Sequence, residues 1–253
     1  MRIDAKGIYY KELNELIRQA VDSGEKDIVL DNVNGQRYIG AGLSGEIKIT
    51  INGVPGNDLA AFMDGPTIIV NSNGQDGIGN TMNAGKIVVH GDVGDIAGHS
   101  MRGGRIYIKR NAGYRVGIHM KSYKDLYPVI IIGGTAGDFL GEYMAGGLLV
   151  VLGLAVNSVR SAGQDDLSEN IVGNFIGTGM HGGSIFIRGT VDRCLKGKEI
   201  KIVNPAEQNL RFLREYIGDF CNYFDLDPKE IFGRSFVKLY PSTHRPYGRL
   251  YAY

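Results

Sequence analysis

Two glycine-spaced stretches, Gly77-Ile78-Gly79 and Gly177-Thr178-Gly179, have the text of phosphate-binding loops. Such a loop works by opening a helix and aiming its backbone N–H groups at the anion. Neither stretch is followed by a helical pattern, and both fall inside a repeat, so they read as architecture. Taken as equivalent positions just before Met101 and Met120, His99 and His119 could stack as a metal pair. No third and fourth ligands recur with them, so corner histidines are the better reading. Asp92, Asp95, Asp138, Asp165, Asp166 and Glu169 do not recur as the carboxylate pair that glycoside cleavage needs. Cys194 has no evident histidine to hold a thiolate. His181, in GMHGG, reads as a corner residue, and Arg160 and Arg193 as solvated cations. No catalytic, cofactor-binding or metal-binding residue is assigned to the chain.

The repeat that absorbs these glycines is marked by methionine. Apart from Met1, the methionines are Met63, Met82, Met101, Met120, Met144 and Met180, and the first four of these are 19 residues apart. A glycine stands three before most of them, and one or two glycines follow. Positions five and seven later are apolar: Ile68/Val70, Ile87/Val89, Ile106/Ile108, Leu149/Val151 and Ile185/Ile187. The Met120 unit fits through Ile130/Ile132 once a five-residue insertion within SYKDLYP is allowed. A short apolar strand with glycine corners at this period predicts an all-β solenoid, a parallel β-helix of ~19-residue coils. Each coil rises by one strand spacing of ~4.8 Å, so six coils make a prism roughly 29 Å tall. The methionines form one internal ladder of adaptable side chains. A hexapeptide-repeat acyltransferase does not fit the strict 19-residue beat.

The flanks differ. Residues 9–22 put Leu13, Leu16, Ile17, Ala20 and Val21 on one helical face. Residues 1–53 thus read as a helix and first irregular coils, 54–203 as the glycine-rich repeats, and 204–253 as a helix and tail, all one structural domain. Asn204-Pro205-Ala206-Glu207 carries a capping box that predicts a helix start, with Pro205 at its first position. Leu210, Leu213, Ile217, Phe220 and Phe224 form its apolar stripe. A further short helix is expected near Pro228, and FVKLYPSTHRPYGRLYAY is left as an aromatic, basic tail.

Position six after each methionine should face outward, yet holds Ile69, Val88, Tyr107, Ile131, Val150 and Phe186. Strands apolar on both faces are covered on both faces. These six are therefore a candidate interface, either within the chain or with another one. A lengthwise C-terminal helix could cover them; a helix capping the end would leave them for a partner chain, and a homo-oligomer is one such outcome.

Composition sets further limits. Lysine plus arginine number 28 against 27 acids, a balance that does not suit nucleic acid or an anionic membrane. No run of 18 apolar residues and no apolar N-terminal signal is present, which reads as cytoplasmic. Two cysteines cannot by themselves ligate an iron–sulfur cluster.

The stretches GNTMNAGKIVVHGDVGDIAGHSMRGGRIYIKRNAGYRVGIHM, GEYMAGGLLVVLG and GTGMHGGSIFIRG resemble the GXGXG-domain family. That family includes the C-terminal domain of the glutamate synthase large subunit. It also includes one of the subunits of formylmethanofuran dehydrogenase and a subunit of N-methylglutamate synthase-type enzymes. IDAKGIYYKELNELIRQA, DNVNGQRYIGAGL and FVKLYP resemble the glutamate synthase branch. The resemblance implies a right-handed parallel β-helix encoded apart from the glutaminase and synthase regions. It implies a structural role without catalytic residues, in a complex that converts glutamine and 2-oxoglutarate to glutamate. The partners would then be glutaminase and FMN-containing synthase subunits, with FMN and an iron–sulfur cluster on the synthase. A formylmethanofuran dehydrogenase or N-methylglutamate synthase component is the alternative within the family. A stand-alone β-helix enzyme or binding protein is the alternative outside it.

Overall fold

A computed structural model describes residues 1–154 and 171–242. Arg160, Asp165, Asp166 and Glu169 fall outside the described residues, as does the tail beyond Ser242. The strands are β1 (Arg2–Asp4), β2 (Asp27–Asn34), β3 (Lys48–Val54), β4 (Asp64–Val70), β5 (Ala84–Val89), β6 (Arg105–Ile108), β7 (Val129–Ile132), β8 (Ala145–Val151), β9 (Gly182–Arg188), β10 (Ile200–Val203) and β11 (Phe236–Pro241). They form a single sheet in the order β1 to β9, then β11, then β10. Pairing is parallel from β1 to β9; β3 to β9 give one strand to each of seven stacked coils, a parallel β-solenoid of about six turns. The repeat register is kept throughout: Ile68, Ile87, Ile106, Ile130, Leu149 and Ile185 pair in sequence across β4 to β9. The insertion before β7 is thus looped out without a slip. Among the described residues no helix is long and apolar enough to cross a membrane.

The solenoid is filled from the inside. Met63, Met82, Met101, Met120, Met144 and Met180 are all buried, beside the inward isoleucines and valines of the strands. Helix α1 (Tyr10–Asp22) closes the first coil. Its Leu13, Ile17 and Ala20 join the interior, and Asn14 and Arg18 donate to the carbonyls of Arg37 and Ala41. The far end is closed by β11, antiparallel to β9, with β10 antiparallel on its outer edge. Residues 236–241 are therefore a strand rather than the start of a tail.

Helix α2 (Glu207–Phe224) starts later than its capping box predicts. Ala206 is the N-cap, its backbone is extended, and no side chain caps the helix. The reason lies in β10, whose pairing with β11 continues to Val203. Asn204 follows directly, and the proline after it also disfavours the helical region. Helix α3 (Pro228–Phe232) does start with a cap, Asp227 accepting from the Lys229 N–H at 2.8 Å.

Candidate functional site

A coil has three kinds of outward surface, made by its strand, by an Asn/Asp corner, and by the glycine-rich turn that leads to the methionine.

The strand side is closed by the chain itself. Val88, Tyr107, Ile131, Val150 and Phe186 are buried beneath Leu213, Ile217, Phe220 and Phe224 of α2, with Ile231 and Phe236 beside them; Ile69, at the margin, is half-buried. The six outward residues pair in one row across β4 to β9. Five strand spacings are ~24 Å, against ~27 Å for an 18-residue helix, so a lengthwise helix could span the row. It does not run strictly along the stack. Its N-terminal half lies by Tyr127, ahead of β7, and its end by His90, after β5, while α3 and Phe236 close the β8–β9 end. The candidate interface is an intramolecular one.

One ion cluster locks this cover. A single carboxylate oxygen of Asp219 accepts from Lys86 Nζ at 2.8 Å, Arg105 Nη1 at 2.8 Å and the Tyr107 hydroxyl at 2.9 Å. Burial alone would raise the Asp219 pKa, but the bonds from Lys86, Tyr107 and Arg105 outweigh it and hold the carboxyl below its ordinary value. Burial, with the Asp219 charge added, pushes the Tyr107 hydroxyl far above its usual range.

The Asn/Asp corner explains acids that had no catalytic pairing. Asn73 accepts from the Asp92 N–H, Asp92 from the Asn111 N–H and Asn111 from the Thr135 N–H, at 2.9 to 3.0 Å. A second ladder runs through Asp76, Asp95 and Tyr114. Asp138 likewise accepts from the Asn174 N–H at 2.7 Å. These side chains tie each coil to the next. Their 19-residue recurrence was the signal that could have found them.

The glycine-rich turn is the unusual surface. Before Leu43 and before each of the six methionines, the residues one, three and five earlier have positive φ. Positive and negative φ thus alternate along five residues. The first and last of the three donate to one neighbouring coil, as Ile96 does to the Tyr114 carbonyl and Ser100 to that of Ile118. The middle one donates the other way, as Gly98 does to Ile78. The middle side chain would therefore point inward. A Cβ on Gly98 would lie 2.3 Å from the end of the Ile130 side chain of the next coil, which would have to shift; the inward position is glycine in every turn but the one that holds Ala60. The other two point out and hold Thr81, Ile96, Arg115, Tyr143 and others despite the strain. Both suspected phosphate loops lie in such turns. The N–H groups of Gly77, Gly79 and Gly177 are spent on neighbouring coils, and that of Gly179 on Glu199.

Rings stand along this turn side. Tyr38, Phe62, Tyr114, Tyr143 and Phe175 are each between 42 and 60 % exposed. His119 stacks on Tyr143 at 5.4 Å and Phe139 on Phe175 at 4.9 Å, and Arg115 lies over Phe139 while pairing with Glu142. His99 and His119 are not at equivalent positions. His99 stands two before Met101 and His119 one before Met120, and their rings meet edge to face at 6.0 Å. Among the described residues no three His, Cys, Asp or Glu gather into a metal site. Burial, then the neighbouring His119, lowers the His99 pKa.

A smaller ring patch lies on the strand side. Tyr127, from the insertion, meets Phe212 of α2 at 5.7 Å, and both are partly exposed, as is Tyr123. Of the remaining singled-out residues, His181 Nδ1 lies 2.7 Å from the Gly179 carbonyl, and Arg193 and Cys194 are exposed on a short 3-10 turn.

The family model described as the GXGXG motif matches residues 27–242. The chain belongs to the GXGXG-motif family. The alternating turns all lie within the matched span. An uncharacterised protein of Methanocaldococcus jannaschii is 50 % identical over 255 residues, covering 98 % of this GXGXG chain and 95 % of its own. A chain in the crystal structure of the formyltransferase/hydrolase complex of Methylorubrum extorquens, solved with methylofuran, shares the fold. Its TM-score is 0.59 at 19 % identity, over 86 % of this chain and 83 % of that one.

Proposed function

We propose that this GXGXG protein is a structural subunit of a multi-subunit enzyme, without catalytic residues of its own. One observation carries the reading: a rigid solenoid presents two ring-bearing patches on different sides of the same coils, on the glycine-rich turns and at Tyr127–Phe212. Exposed patches of this kind mark contact surfaces. Held on two sides, the stack would keep partner subunits at a fixed separation.

The first assignment of the complex is to the formyl-transfer type, as a component like the GXGXG-bearing subunit of formylmethanofuran dehydrogenase. The shared fold with a chain of the formyltransferase/hydrolase complex supports it. The second is glutamate synthase, favoured by the flanking text IDAKGIYYKELNELIRQA and FVKLYP. In that case glutaminase and FMN- and iron–sulfur-bearing synthase subunits are the partners, and the work is cytoplasmic glutamate formation and ammonia assimilation. Purifying the tagged chain from its own cells distinguishes them. Co-purification with formyl-transfer activity supports the first. Flavin absorbance with glutamine-dependent glutamate formation supports the second. A chain that turns over either substrate set alone overturns the structural role.

A further inference from the structure

The rings on the glycine-rich side are unevenly placed along the stack. Number the coils from Leu43 as the first and Met180 as the seventh. In the column one before the methionine, the second to seventh coils carry Phe62, Thr81, Ser100, His119, Tyr143 and Gly179. In the column five before it they carry Asp58, Gly77, Ile96, Arg115, Phe139 and Phe175. Bulk is concentrated on the fifth and sixth coils, and the small residues Gly77, Thr81 and Ser100 on the third and fourth, where Ile96 is the one large side chain of these two columns.

We propose that this side is the interface between two copies of the chain, related by a two-fold axis that crosses the stack between the fourth and fifth coils. Such an axis, lying in the contact plane across the coils, reverses coil order and keeps each column opposite itself. The fifth coil then faces the second copy's fourth, the sixth its third, and the seventh its second. In one column His119 meets Ser100, and Tyr143 meets Thr81. In the other Arg115 meets Ile96, Phe139 meets Gly77, and Phe175 meets Asp58. Phe62 comes opposite Gly179, over which the Tyr143 ring already lies, and so packs on a ring. At His119–Ser100, Tyr143–Thr81 and Phe139–Gly77 a large residue faces a small one.

The other features of the surface agree. The backbone N–H groups of these turns are spent between coils, so strand addition cannot be the mode of contact and side chains must supply it. Arg115 brings its own counterion in Glu142, so the two copies do not repel through it. Phe62, Tyr143 and Phe175, half-exposed rings of roughly 150–250 Å² each in full, offer on the order of 300 Å², and Arg115, His119 and Phe139 lie between them. The rest of the ~800 Å² per partner of an ordinary stable interface would come from the side chains around them.

The inference gives this side to a second copy and leaves the Tyr127–Phe212 patch for an enzyme partner, and it rests on the shape of this side and not on the identity of that partner. Thr81 and Tyr143 lie three coils apart in one chain, about 14 Å, too far for a disulfide. Across the two-fold they face each other. The test uses the full chain with Cys194→Ser, carrying Thr81→Cys and Tyr143→Cys together or singly, under mild oxidation, with light scattering of the unoxidised chain. The expected results are a dimer of twice 27.5 kDa, and a covalent dimer from the double variant that neither single variant gives. A monomer at about 100 µM, or a double variant that stays uncrosslinked while dimeric, overturns the interface. In a second variant Thr81→Tyr should weaken dimerisation at least tenfold, and adding Tyr143→Thr should restore it; an unchanged dimer in Thr81→Tyr counts equally against the proposal. A dimer that recruits no enzyme would keep this inference and remove the structural-subunit reading.

Discussion

At the scale of single residues, two features carry most of the specificity. The first is the inward position of each turn, glycine in every turn but the one that holds Ala60. Gly98→Ala combines left-handed strain with a Cβ that displaces the end of the Ile130 side chain, and should cost about 1–3 kcal/mol. Ser100→Gly, two residues on, relieves strain at an outward position and should stay within about 1 kcal/mol of the parent. Thermal melts of both variants check this; equal losses would mean that the outward and inward positions are not distinct. The second feature is Asp219. Asp219→Asn removes the charge shared by Lys86, Arg105 and Tyr107, and about 1–3 kcal/mol is expected at neutral pH, toward the low end because the site is partly exposed. The folded-state pKa lies below the ordinary 3.8, so the contribution is complete above that value and is lost as pH falls through the folded pKa. Denaturant titrations of parent and variant should therefore differ at pH 7 and converge in strong acid.

At the scale of elements, α2 works as a seated cover with a built-in reporter. Cys221 sits on its buried face, and burial pushes that thiol up to about 11. Cys194 is exposed. A neutral thiol reagent should modify one cysteine per native chain quickly, and the second at the rate at which α2 lifts away. Asp219→Asn should accelerate that second phase alone; two fast equivalents in the parent would mean that α2 is not held down. The sequence reading recovers α1, α3 and the strand register, because apolar period and proline placement are local signals. The start of α2 and the strand β11 are not legible in the same way. Both depend on a pairing between segments that are distant in sequence, β10 with β11 and β11 with β9, and no local period records it.

At the scale of the molecule, the methionine frame reveals the solenoid, since a fixed period can only be satisfied by stacking. The outward apolar row reveals that something must cover it, and its six positions identify where. The glycine-rich side is harder to see in the sequence. Its residues share no chemical type from coil to coil; they share a backbone conformation, and alternating φ leaves little trace in residue identity beyond the middle glycine. The same stacking gives the chain a particular problem during synthesis. The outward row is complete once Phe186 has been added, but its cover ends at Phe224, 38 residues later (224 − 186). At roughly 5–20 residues per second the nascent solenoid spends about 2–8 s with that row uncovered. Chains truncated after residue 203 keep the coils but never acquire the cover, and should be recovered in the pellet or bound to chaperones. If such a truncation is instead monodisperse by light scattering, the row needs no cover. The cover is reached last and from far away, since Lys86 and Asp219 are 133 residues apart. A refolding chain should therefore show its coils forming before Cys221 becomes protected, so this protein's exposure to aggregation is set by the order in which its parts arrive.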